Sequence, residues 1–205
     1  MKKETQKTDG KDYDLILRVH YDIYPKVLER VNLNKNDKIL DAGCGEGSLG
    51  KELIKRGYSN IFGFDYSSEG VKKAKEHYKK CIKSDIYSLP YKDNEFDIVI
   101  CIEVLEFLDD PKKAFKELLR VTKKQIIIVS ANYTWFKIRA IVDKGYREDI
   151  AKVEIQTTYS FLKGLGKRYN LKYKFKTVSF KYDKIRKFLW ILCSSDIIAI
   201  YRVNN

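Results

Sequence analysis

Between residues 39 and 50 the chain reads ILDAGCGEGSLG, an apolar run that passes directly into glycines at positions 43, 45, 47 and 50. Residues 38–41 have the character of a short buried strand, and residues 48–56 that of a helix. Glycines between them let the backbone turn sharply and approach a ligand with no side chain in the way. The helix that follows directs its first N–H groups toward that ligand. Such a strand–turn–helix restricts the chain to folds with a parallel sheet and a ligand at the carboxyl ends of its strands.

The rest of the sequence repeats the pattern. A second strand is predicted over residues 60–64 and ends at Asp65. A lysine-rich helix over 68–79 leads to a strand at Lys80–Lys83, which closes near Asp85. After a loop through Leu89 and Pro90 comes a strong strand, Phe96–Ile102. Asp109-Asp110-Pro111 then starts a helix reaching about Val121, with an Asp as N-cap and a first-turn proline. Residues 125–130 read as a fifth strand. Strands alternating with helices imply parallel pairing, right-handed crossovers and helices on both faces of the sheet. In the last third, a helix over 158–169 precedes strands at 171–180 and 196–203. A mixed apolar and basic segment (184–193) joins these strands, as in an antiparallel hairpin at a sheet edge. At the other end, Ile16, Val19, Ile23, Val27 and Val31 recur at helical spacing over residues 13–31. The sequence therefore predicts a disordered tail over 1–12 and one α/β domain over 13–205. Residues 131–156 are its least regular part.

The glycine loop admits two ligands. Residues 45–50 match G-x-G-x-x-G, which places a pyrophosphate on a helix N-terminus. Here, however, Asp41 ends the strand and Glu46 lies within the loop, so two carboxylates would face a doubly charged anion. S-adenosylmethionine carries no phosphate, and its ammonium suits a nearby carboxylate. Asp65 adds weight, because an acid at the end of the next strand can accept hydrogen bonds from both ribose hydroxyls.

The ordered motifs ILDAGCGEG (39–47), GFDYS (63–67), Ser84-Asp85, FDIVICIEVLE (96–106) and LLRV (118–121) resemble the class I S-adenosylmethionine-dependent methyltransferases, in particular the methyltransferase type 11 group. The resemblance spans roughly residues 35–130. It implies a Rossmann-like, doubly wound seven-stranded sheet, ordered 3-2-1-4-5-7-6 with strand 7 antiparallel. It also implies roles. Asp41, Gly43, Gly45 and Gly47 would line the methionine part, and Asp65 would hold the ribose. Tyr66 would pack on the adenine, Asp85 would accept from its amino group, and the Ile86 amide would meet the ring. Ile102 and Glu103 would border the sulfonium and the acceptor, with Glu103 the candidate catalytic base. The group often reads E-x-L-E-H after the fourth strand, whereas this chain has Phe107 in place of the histidine. The helix over 13–31, with Tyr21, would act as a lid. The acceptor would meet residues 131–156, where Asn132, Tyr133, Trp135 and Arg139 are candidates. The cofactor implied is S-adenosylmethionine, released as S-adenosylhomocysteine, with no metal.

Charge bears on the acceptor. Residues 1–150 carry 29 basic and 25 acidic side chains, whereas residues 151–205 carry 12 and 3. A basic surface concentrates anionic partners such as RNA, though a lysine-rich composition alone yields solvated lysines. Three readings follow: methylation of a small molecule, which leads; methylation of tRNA or another nucleic acid; and a non-catalytic cofactor-binding partner or sensor. The four cysteines, Cys44, Cys81, Cys101 and Cys193, are widely spaced and read as free thiols. No apolar run reaches membrane-spanning length, and the polar first ten residues lack a secretory leader. A cytoplasmic location is expected.

Overall fold

The computed structural model describes residues 23–132, 158–178 and 196–203. Candidates Tyr21, Tyr133, Trp135 and Arg139, the lid residues 13–22 and Cys193 lie outside the described residues. The chain divides into two compact units, Met1–Asn32 and Leu33–Asn205. In the first, α1 (Ile23–Leu28) buries Ile23, Val27 and Leu28 at helical spacing.

The second unit is built on a seven-stranded sheet. Its strands are β1 (Ile39–Ala42), β2 (Ile61–Asp65), β3 (Lys80–Lys83), β4 (Phe96–Ile102), β5 (Thr122–Ala131), β6 (Lys172–Val178) and β7 (Asp196–Arg202), in the order β3-β2-β1-β4-β5-β7-β6. The first five pair in parallel, and β7 runs antiparallel between β5 and β6. This is the order and the reversal that the family resemblance implies. Strand order turns about β1 and β4, so the carboxyl ends of those strands open a crevice suited to a ligand.

Helices cover both faces. On one side lie α2 (Ser48–Lys55) and α3 (Ser68–Ala74), which bury Leu49, Leu53, Val71 and Ala74. On the other, α4 (Pro111–Val121) and α5 (Tyr159–Arg168) close over Leu40, Ala42, Val99, Cys101, Ile126, Ile128 and Ala199. Tyr201 of β7 joins these two helices. Its ring meets Phe115 edge-on at 5.1 Å, and its hydroxyl donates to the Leu162 carbonyl at 2.8 Å.

Local chemistry sets the boundaries. Helix α2 stops where Gly57 takes a φ of 78°, with Gly57 N–H bonded to Ile54 and Tyr58 N–H to Leu53, a Schellman closure. Helix α4 begins at Pro111 behind Asp110, whose side chain accepts from Lys113 N–H at 3.0 Å. Two boundaries differ from expectation. The lysine-rich helix ends at Ala74, passes through a 3-10 turn (Lys75–His77) and leaves Tyr78 extended. Tyr78 is buried, and it must leave the helix to point its hydroxyl under the sheet. Strand β5 begins at Thr122 rather than 125, directly after α4, and a register shift between Phe96 and Ile98 absorbs the irregularity. Lys124 there pairs with Asp37 at 2.9 Å and Asp97 at 3.0 Å, tying the amino ends of three strands together away from the crevice.

Candidate cofactor site

The glycine loop follows β1 and is held mainly by backbone geometry. Gly43, Gly45 and Gly47 have φ values of 78°, 50° and 90°, in the region that L side chains rarely adopt. A β-carbon on Gly43 would lie 2.4 Å from Val104 Cγ2, so the segment after β4 packs directly on the loop. One on Gly45 would meet nothing within 4 Å, so the space above that residue is open.

Asp65 ends β2 beside this opening. Its Oδ2 accepts from Gly45 N–H and its Oδ1 from Ser67 N–H, each at 2.8 Å. A carboxylate offers about four lone-pair sites, so two remain for hydroxyl donors. Tyr66 follows with its ring 76% exposed, an unusual state for a large aromatic, and Lys83 Nζ stands 5.9 Å from the ring centre. Ser84 N–H donates to the Asp65 carbonyl at 2.9 Å, which brings Asp85 alongside. Asp85 Oδ1 accepts from Tyr87 N–H at 2.9 Å, and Ile86 is buried. Arg120 fixes the rest of this loop to α4 by donating to the carbonyls of Tyr91 and Leu89 at 2.8 and 3.1 Å. The structure thus gathers Gly43, Gly45, Gly47, Asp65, Tyr66, Asp85 and Ile86 along the carboxyl ends of β1 to β3.

Asp41 sits deeper, only 4% exposed. Tyr78 donates to its Oδ2 at 2.5 Å and accepts from Gly50 N–H at 3.0 Å, so one hydroxyl joins strand end and helix start. Burial pushes the Asp41 carboxyl up to about 7, the Tyr78 bond draws it down, and the Asp65 charge raises it further. Sequence reasoning missed Tyr78, since a tyrosine closing a lysine-rich helix gives no sign of turning inward. Glu46 is exposed and bonded to Lys73 at 2.6 Å, so of the two loop carboxylates invoked against a pyrophosphate, Asp41 is the buried one.

Ile102 ends β4, and Glu103 adopts a φ of 53° while its N–H still donates to Val129 at 2.9 Å. A non-glycine residue held in that region marks local strain. Burial, followed by the charges of Asp196 and Glu106, holds the Glu103 carboxyl well above the usual range. Glu106 accepts from Ala131 N–H at 3.0 Å and so caps β5. Asp196, fully buried at the start of β7, was also missed, because an acid opening an apolar strand reads as a strand boundary. Asn132 lies buried just beyond β5. Among the described residues, no group of three histidine, cysteine or acidic side chains is arranged to hold a metal ion.

An exposed aromatic ring, an acid with spare acceptor sites and an open glycine turn along adjacent strand ends suit an adenosine-bearing ligand without phosphates. The sheet order and the antiparallel β7 are those of the class I methyltransferase fold. Residues 40–129 match the family described as "Methyltransferase domain". An uncharacterized methyltransferase of Schizosaccharomyces pombe is 37% identical over 107 residues, which cover 44% of this chain and 38% of that protein. The chain spans less than half the length of the first curated relatives it matches, at 38%, 27% and 46%. Among solved structures, a candidate methyltransferase from Haloferax volcanii, in complex with the Trm112 methyltransferase activator, superposes with a TM-score of 0.73 at 16% identity, covering 96% of this chain and 94% of that one. A Thermotoga maritima S-adenosylmethionine-dependent methyltransferase, described as a possible histamine N-methyltransferase, gives 0.72 at 18% identity, with coverages of 94% and 95%.

Proposed function

We propose that this chain transfers a methyl group from S-adenosylmethionine to a small-molecule acceptor, releasing S-adenosylhomocysteine. The observation that carries the reading is Asp65, which braces the open Gly45 turn with one oxygen and keeps acceptor sites for a ribose. When bound, the cofactor supplies a methyl carbon already activated by a sulfonium leaving group. The protein's task is then to align the acceptor and exclude water. Gly43, Gly45 and Gly47 let the backbone close on the methionine part, and Asp41 offers a carboxyl oxygen to its ammonium. Tyr66 and Ile86 flank the adenine, with Asp85 toward its amino group.

Glu103 borders the acceptor, and burial followed by two neighbouring acids favours its protonated form. A group in that state positions an acceptor by hydrogen bonding. It favours amine, thiol or carbon nucleophiles over a hydroxyl that needs a ready base. The amine suggested for the Thermotoga neighbour is consistent with this class. Asn132, buried just beyond β5, belongs to the proposed acceptor side. No helix among the described residues is long and apolar enough to cross a membrane, and a cytoplasmic setting remains part of this proposal.

A nucleic-acid acceptor is the second reading, favoured by exposed Lys172 and Lys174 on β6. Asp65→Ala is expected to weaken S-adenosylhomocysteine binding by about tenfold or more in calorimetry, and unchanged affinity would refute the ribose role. Turnover of labelled methyl donor in a fractionated cell extract then separates metabolite from RNA acceptors. Binding to tRNA that is absent, or insensitive to salt, would sink the second reading.

A further inference from the structure

Cys44, within the glycine loop, faces Cys81 on β3, and the two sulfurs lie 3.5 Å apart without a bond. The contact exists because Gly63 lies between them. Cys81 pairs with Gly63 in the sheet, Cys44 N–H donates to Phe64 at 2.9 Å, and a β-carbon on Gly63 would stand 3.2 Å from the Cys44 sulfur. Both residues are nearly buried, at 7% and 8% exposure, but Cys81 also lines a cleft of about 350 Å³ on the outer side of α3 and β3. Lys72, Lys75 and Lys83 line the same cleft. Contact with the Cys44 sulfur lowers Cys81, burial and the charges of Asp41 and Asp65 oppose this, and Lys75 adds a small lowering. Contact with Cys81, followed by burial and the Asp41 charge, pushes Cys44 up. The pair is asymmetric in setting, since Cys81 lines the cleft beside three lysines and Cys44 lies behind it at contact distance.

We propose that Cys81 and Cys44 are a peroxide-reactive site whose reversible disulfide pins the glycine loop to β3. The Cys81 thiolate attacks one oxygen of a hydroperoxide. The O–O bond breaks, Cys81 becomes a sulfenic acid, and water or an alcohol leaves with a proton. The Cys44 thiol then gives up its proton and attacks the Cys81 sulfur. The S–O bond breaks, water leaves, and the S–S bond forms. Two thiols are thus oxidised by one peroxide, and a dithiol reverses the change. A disulfide needs the sulfurs about 2.05 Å apart, so closure moves them by roughly 1.5 Å. Cys44 sits between Gly43 and Gly45, and Gly45 is bonded to Asp65, so this movement strains the turn that faces the ligand. The effect on binding rests on the cofactor reading above, whereas the cross-link does not.

The test uses the full chain treated with hydrogen peroxide, with non-reducing peptide mapping and trapping of sulfenic acid by dimedone. Wild type should yield a 44–81 linked peptide. Cys44→Ser should accumulate adduct on Cys81, and Cys81→Ser should form no link to Cys44. Absence of the 44–81 peptide, or adduct on other cysteines instead, overturns the site. Calorimetry should show S-adenosylhomocysteine affinity falling by about tenfold in the oxidised protein and returning with dithiothreitol. Equal affinity in both forms overturns the control of binding. If reduced wild type binds no S-adenosylhomocysteine, the cofactor reading fails and the control of binding falls with it, while the mapping still decides the cross-link.

Discussion

Asp41 carries a titration with a definite sign. Its carboxyl is raised from an ordinary 3.8 to about 7 in the fold, so between those values the folded state holds a proton that the unfolded chain releases. Its contribution is therefore most favourable at low pH and declines as pH rises toward 7. Relative to Asp41→Asn, wild type should lose roughly 2–3 kcal/mol of stability between pH 5 and 8, measured by chemical denaturation without ligand. Parallel curves for the two proteins would show that the carboxyl is not perturbed. The glycines divide by a different criterion. Gly43→Ala drives a β-carbon into Val104 and should lower the melting temperature sharply. Gly45→Ala meets open space and pays chiefly the backbone term, about 1 kcal/mol. It should fold yet bind S-adenosylhomocysteine poorly, and a Gly45→Ala protein with intact binding would show that nothing seats against that turn. At this scale the sequence was legible where spacing encodes chemistry, as at Asp65. Tyr78 and Asp196 were hidden because their positions depend on contacts across strands far apart in the chain.

Among the elements, the segment between β3 and β4 is the one whose order matters most to the candidate site. It carries Asp85 and Ile86, has little regular structure, and is secured by Arg120 through two carbonyls, Asp93 and Glu117. Leu89 N–H also donates to Glu117 at 2.8 Å. Arg120→Ala leaves these acceptors to solvent and should lower stability by about 1–3 kcal/mol. It should also weaken adenosine binding, more than Lys116→Ala on the same helix does. Equal effects from the two variants in thermal melts and calorimetry would remove the case for this clip. Strand and helix identities followed from periodicity and caps, as at Pro111. The ends of α3 and β5 did not, because Tyr78 leaves its helix for a buried partner and Thr122 enters the sheet with no intervening turn.

For the whole molecule, the sheet order follows from right-handed crossovers and the family motifs, whereas the acceptor does not, since residues 131–156 offer no comparable pattern. Basic charge at the ends of the sheet has a second use. The sheet ends in β3 on one side and β6 on the other, and each outermost strand sets exposed lysines along its length: Lys80 and Lys83 on β3, Lys172 and Lys174 on β6. An open strand is a template for joining another chain, and repelling like charges keep two such strands apart. Replacing Lys172 and Lys174 with threonine should leave the melting temperature nearly unchanged but produce concentration-dependent light scattering. A clear solution at high concentration would show that these charges do not guard the edge. Lysines on both outermost strands of the described sheet would thus repel a second copy at either edge, an effect that requires no nucleic acid.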